Sequence, residues 1–231
     1  MSHGHWMVER AIFGQNMAFN MDTLVTMWAA MAFLLIVALI GTRKLSIFPS
    51  KIQIVFEKIL GYFDDLVSGM IHEGGRKHFP LVASLFLFIV TANLMGQLPL
   101  KVFELKQGEI ASPTNDINLT AGLAVIVLVY YVIAGVVKKK HKFLLHEISF
   151  VGIISMLVEL LELVTRPLTL ALRLFGNILA GEILITALLG LCAWGLPLPI
   201  MFFEILVACV QALVFTMLTT VYIATAVNEN H

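Results

Sequence analysis

Long apolar runs separated by short polar clusters make up most of the chain, and their lengths predict helices. From Thr23 to Gly41 nearly every side chain is apolar, with Asp22 before the run and Arg43 and Lys44 after it. A hydrocarbon core about 30 Å thick takes roughly 20 residues of helix, so this is one crossing. Residues 49–72 read differently. Ile52, Val55, Phe56, Ile59, Leu60, Phe63, Leu66 and Val67 recur at three and four, while Lys51, Glu57, Lys58, Asp64 and Asp65 fill the other face. That pattern predicts an amphipathic helix, either on the membrane interface or packed in the cytosol, that does not span.

Two further spans follow, over 79–98 and 118–137, joined by a polar loop with turn chemistry at Ser112-Pro113 and Asn115-Asp116. From 148 to 193 the chain is nearly all apolar again. As a single helix that stretch would be about 69 Å long, so it must tilt steeply, break or re-enter; Pro167 offers a kink. A last apolar helix is expected over 199–227. Five crossings result, and no repeat period is apparent.

Composition agrees with this pattern. Of 231 residues 59% are hydrophobic and 13% charged, against about 25% charged in an ordinary soluble domain. The expectation is an all-α polytopic membrane protein: one membrane domain over 1–231, with residues 1–22 as an external N-terminal segment. Net charge is zero, so nothing points to nucleic acid. The basic clusters GTRKL, GGRKHF and VKKKHKF flank the apolar runs and mark the cytoplasmic side, which puts the N-terminus outside and the C-terminus inside. The first ten residues lack the pattern of a cleaved signal. Cys192 and Cys209 show no metal spacing, and no metal or cofactor is expected.

The candidate chemistry lies in the polar residues of the two long helices. At roughly 100° per residue, Glu159, Glu162, Arg166, Arg173 and Asn177 fall within about 60° of one another. Glu182, nine residues after Arg173, points to the opposite face. On the last helix Glu204, Gln211 and Tyr222 share a face. Each such charge costs about 2.5–3.5 kcal/mol on insertion scales, so it normally faces protein or water and marks an ion path. A structural alternative is a set of salt bridges that only pin helices. Two polar routes are suggested, Glu182 with Glu204 and Glu159 with Glu162, with Arg173 between them. A guanidinium stays protonated, so it can block a leak and attract a carboxylate but cannot relay a proton.

RPLTLALRLFGNILAGE, followed by QALVFTMLTTVY, resembles subunit a of the F-type ATP synthase membrane sector, of bacterial type. NLMGQLP and PTNDINLT resemble the same family, and the likeness runs from about Pro49 to Tyr222. It implies a stator ion channel beside a ring of c subunits, with b subunits of the peripheral stalk and the whole complex as partners, in the bacterial plasma membrane. In this family the arginine that matches Arg173 faces the ring carboxylates and separates two half-channels. Asn177, Glu182, Glu204 and Gln211 match positions of the arginine site and the outer half-channel, and Asn93, Asp116 and Asn118 match its lining more loosely. Glu159 matches the inner half-channel, with Tyr222 near it, while Glu162 is carried by the helical stripe alone. Some members carry histidine at the position of Glu204 and others at that of Glu182; both are glutamate here. The two long helices are implied to form a tilted hairpin against the ring. The chain has no Walker A loop, so it is not by itself an enzyme. The resemblance implies a proton as the transported ion, with a sodium-translocating version as the alternative. A self-contained cation/proton transporter and a purely structural membrane anchor are the rivals from other classes.

Overall fold

The computed structural model describes residues 7–12, 15–43, 51–72, 74–97, 112–139, 150–191, 195 and 197–228. It is an all-α polytopic membrane protein: α1 (Met21–Thr42), α2 (Lys51–Met70), α3 (Phe79–Gln97), α4 (Ile117–Lys139), α5 (Phe150–Leu191) and α6 (Pro197–Val227). Five are long and apolar enough to cross a membrane, all except α2. Before them stands a short antiparallel hairpin, β1 (Met7–Ile12) and β2 (Gln15–Asn20), with Met7 opposite Asn20 and Ile12 opposite Gln15.

Each helix has a local cause. α1 is apolar all round, and Trp28, Leu35, Leu39 and Ile40 remain exposed on it. Such a surface suits lipid as the solvent. α2 buries Phe63 and Val67, and Ile71 just past its end is buried too, while Val55 on the apolar side of the sequence pattern is exposed. The chain leaves α2 through Gly74, whose φ of +77° is left-handed and is open to glycine at little cost. α3 begins Phe79-Pro80, where the missing N–H of proline falls among helix donors that lack partners anyway. α5 runs unbroken for 42 residues with Pro167 inside it, about 63 Å of helix. The helix continues through the proline although the ring removes the bond to the carbonyl of Leu163.

The chain divides into two compact units, and α3, α4, α5 and α6 each contribute a segment to both. The first comprises Met1–Lys44, Leu87–Leu119 and Phe175–Ala212. Its buried set is rich in small and polar residues, with Ala30, Ala92, Ala208 and Ala212 beside Thr26, Asn93, Ser112, Thr114, Glu204 and Gln211, and it also holds Ile89 and Ile178. The second comprises Leu45–Phe86, Thr120–Leu174 and Leu213–His231. Its core is bulkier, with Phe63, Val82, Val127, Leu170, Leu174, Phe215 and Ile223. Phe63 packs on Phe86 with ring centroids 4.5 Å apart. Asn228, at the end of α6, donates to the carbonyl of Met70 at 2.9 Å and accepts from the backbone N–H of His72 at 3.4 Å. One side chain therefore ties the last turn of α6 to the end of α2.

Candidate ion-path residues

In the first unit an acidic pair forms across two helices. Glu182 stands on α5 and Glu204 on α6. Glu204 is only 8% exposed, and both of its carboxylate oxygens are buried. Gln97 and Glu182 are the polar groups that bear on it. The carboxylate fits because Gly181 has no side chain: a Cβ there would stand 2.7 Å from Glu204 Cδ and closer still to Oε1. Glu182 Oε2 accepts a hydrogen bond of 2.6 Å from Asn115 Nδ2. Asn93 is fully buried and donates to the carbonyl of Ala208 at 3.2 Å, reaching from α3 to the backbone of α6. Gln211 is buried, and its Nε2 has no partner among the described residues. Carboxylates and amides gathered in this unit can hold water and pass a proton, since an ionised carboxylate accepts a proton and the protonated acid donates one.

Asp116 has a structural position at the edge of this unit. Its Oδ1 accepts from the Asn118 backbone N–H at 2.9 Å and from Asn118 Nδ2 at 3.0 Å, which caps α4. Its Oδ2 accepts from Thr23 Oγ1 at 2.9 Å and Asn20 Nδ2 at 3.3 Å, which ties the start of α1 to the same cap. Asn118 is exposed. Asn177 is half-buried on α5 in this unit.

In the second unit the two arginines of the stripe differ sharply. Arg166 pairs with Glu162 one turn before it, donates to Thr225 Oγ1 at 3.3 Å, and lies 5.0 Å from the ring centroid of Tyr222. Arg173 is exposed, and among the described residues it has no hydrogen bond or ion pair. The other side of this part of α5 is buried, with Leu170, Ala171 and Leu174 each at 6% exposure or less. Leu168 and Leu172 of the same stretch are exposed as well. Glu159 lies on α5, but its side chain is outside the described residues.

Thus Glu182 and Glu204 share one cluster, while Glu162 is linked to Tyr222 through Arg166. Sequence reasoning gave no role to Asn115, Arg166, Tyr131 or Thr225. The signal for Asn115 was its place in PTNDINLT beside Asp116. Arg166 was visible on the stripe, but its partners on α4 and α6 were not.

A sequence model of the family described as ATP synthase A chain matches residues 24–224. The chain belongs to this family. Among curated relatives, ATP synthase subunit a of Gloeobacter violaceus is 41% identical over 214 residues, which cover 90% of this chain and 85% of that one. As an ATP synthase A chain, the protein has its polar cluster and its exposed arginine on helices α5 and α6, inside the matched span.

Proposed function

We propose that this chain is the stator ion-channel subunit of an F-type ATP synthase, and that it passes protons to and from the carboxylates of a c-subunit ring. The observation that carries this reading is Arg173. A permanent charge on an apolar, outward-facing strip of a membrane helix, with no partner among the described residues, is a costly arrangement for a structural group. It suits a group whose partner belongs to another subunit. The acid cluster of the first unit supplies a proton route that ends at such a partner, and the family membership supports the assignment.

In this mechanism a proton enters from outside past Glu204 and Glu182, with Asn115, Asn93, Asn177 and Gln211 in the same polar region and Asp116 and Asn118 near its edge. It neutralises a ring carboxylate, which then leaves Arg173 for lipid. After nearly a full turn a carboxylate releases its proton to the inner route at Glu159, with Tyr222 near it and Glu162 on the same stripe. Arg173 pairs with the bare carboxylate and prevents the two routes from joining. Each charge crossing 100 mV provides about 2.3 kcal/mol, so several must cross per ATP. The two long helices, α5 and α6, are the tilted hairpin that faces the ring, and the b subunits of the peripheral stalk hold the chain still. The protein sits in a bacterial plasma membrane with its N-terminus outside and its C-terminus in the cytoplasm. Its part is ion routing; phosphoryl chemistry belongs to other subunits of the complex.

Arg173→Lys tests the reading. Lysine keeps a positive charge but as a compact ammonium whose proton can leave on burial. Coupled ATP synthesis in membrane vesicles should be lost or nearly lost, with subunit a still present. Wild-type synthesis in this variant would refute the role of Arg173.

A further inference from the structure

The two arginines of the α5 stripe stand two turns apart within the second unit, yet their surroundings are opposite. Arg166 is held from three helices. Glu162, on α5 itself, accepts from its Nη2. Thr225, on α6, accepts from Nη1 at 3.3 Å. The guanidinium carbon lies 5.0 Å from the ring centroid of Tyr222, on α6, and 5.9 Å from that of Tyr131, on α4. The two rings are 6.3 Å apart, and Tyr131 is only 3% exposed. The Arg166 side chain is 23% exposed and that of Glu162 46%.

A guanidinium cannot shed its proton. Placed among tyrosine rings in a membrane span it gains from the ring faces, but it still needs an anion close by. Removing one member of such a pair costs more than removing both, because the remaining charge is left uncompensated. A carboxylate committed to this geometry would break the pair every time it took up a proton. We propose that Glu162 is a positioning residue and not a proton carrier: it is the fixed counter-ion that holds Arg166 against Tyr131 and Tyr222. The pair thereby sets how α4, α5 and α6 meet in the second unit. The inference rests on the ion-routing reading above and narrows it, because proton release on this stripe then falls to Glu159.

The test uses membrane vesicles carrying the whole ATP synthase, with ATP-driven proton pumping measured across a pH series and subunit a quantified by immunoblot. Glu162→Gln alone should lower pumping by about tenfold, within the range for coupled neighbours. Glu162→Gln combined with Arg166→Gln should recover to within about threefold of wild type, with an unshifted pH profile. A proton carrier gives the opposite result: the double variant stays as impaired as the single at equal subunit content, or its pH profile moves. Either outcome overturns the proposal, as does wild-type pumping by Glu162→Gln alone or absence of the double variant from the membrane. Arg173→Ala in parallel separates the two readings. Wild-type pumping there would refute the ion-routing assignment itself; loss there together with failed rescue would refute only the role given to Glu162.

Discussion

Gly181→Ala tests the packing that lets Glu204 enter the first unit. The added Cβ would stand 2.7 Å from Glu204 Cδ, whereas ordinary contact begins at 3.4 Å. The carboxyl carbon must therefore retreat by about 0.7 Å, the difference between those two distances, and the nearer oxygen must move further. Glu204 is buried and shares its surroundings with Gln97 and Glu182, so it has little room to give. Overpacking of this kind costs about 1–3 kcal/mol. If that strain falls on the working position of the carboxylate, ATP synthesis drops by about 5- to 150-fold, at about 1.4 kcal/mol per tenfold. The assay is a double-mutant cycle on thermal inactivation of the purified complex and on ATP synthesis in vesicles. Gly181→Ala should reduce the inactivation temperature in the wild-type background and have little effect on it beside Glu204→Ala, where the obstructing group is gone. Equal losses in both backgrounds, or no loss in either, would refute the argument.

Two more predictions come from the ends of helices. Asp116→Ala removes the cap of α4 and the bonds to Thr23 and Asn20, and should destabilise the complex by about 1–3 kcal/mol, read as faster thermal inactivation, with Asp116→Asn milder. His78, just before α3, has its Nδ1 2.9 Å from the hydroxyl of Tyr130; burial, and then the charge of Lys77, lower its pKa below the usual 6.5. The unfolded chain therefore binds more protons than the folded one in the window just below pH 6.5, so stability is full above that pH and declines as pH falls through the folded value. A pH series of thermal inactivation should show this decline in wild type and a flatter profile in His78→Phe; identical slopes would exclude the histidine as its source.

The helices were legible because apolar length and period are local properties. α1, α3 and α4 follow from unbroken apolar runs, and α2 from its spacing of three and four. The pairing of β1 and β2 was not legible: MVERAI and QNMAFN lack the β-branched alternation that marks a strand, and pairing joins separate stretches of chain. In the site, helical phase placed Glu162, Arg166 and Arg173 on one stripe but could not tell them apart. What distinguishes Arg166 is Tyr131 on α4 and Tyr222 and Thr225 on α6, contacts set by packing rather than period. Asn115 reaches Glu182 across 67 positions of sequence, a distance over which no pattern carries information. Asp116, read from its motif as lining for an ion route, also caps α4, a role that belongs to the first residue before any helix.

Passive proton leak reports on the role we propose for Arg173, the barrier between two proton routes. Vesicles carrying the complex, with ATP synthesis followed in parallel, would be compared between wild type and Arg173→Ala. Lost synthesis together with a raised leak is the predicted result, because in the proposed mechanism the carboxylate-pairing charge and the barrier disappear at once. Intact synthesis with an unchanged leak would contradict the account and leave the stripe on α5 as a purely structural feature.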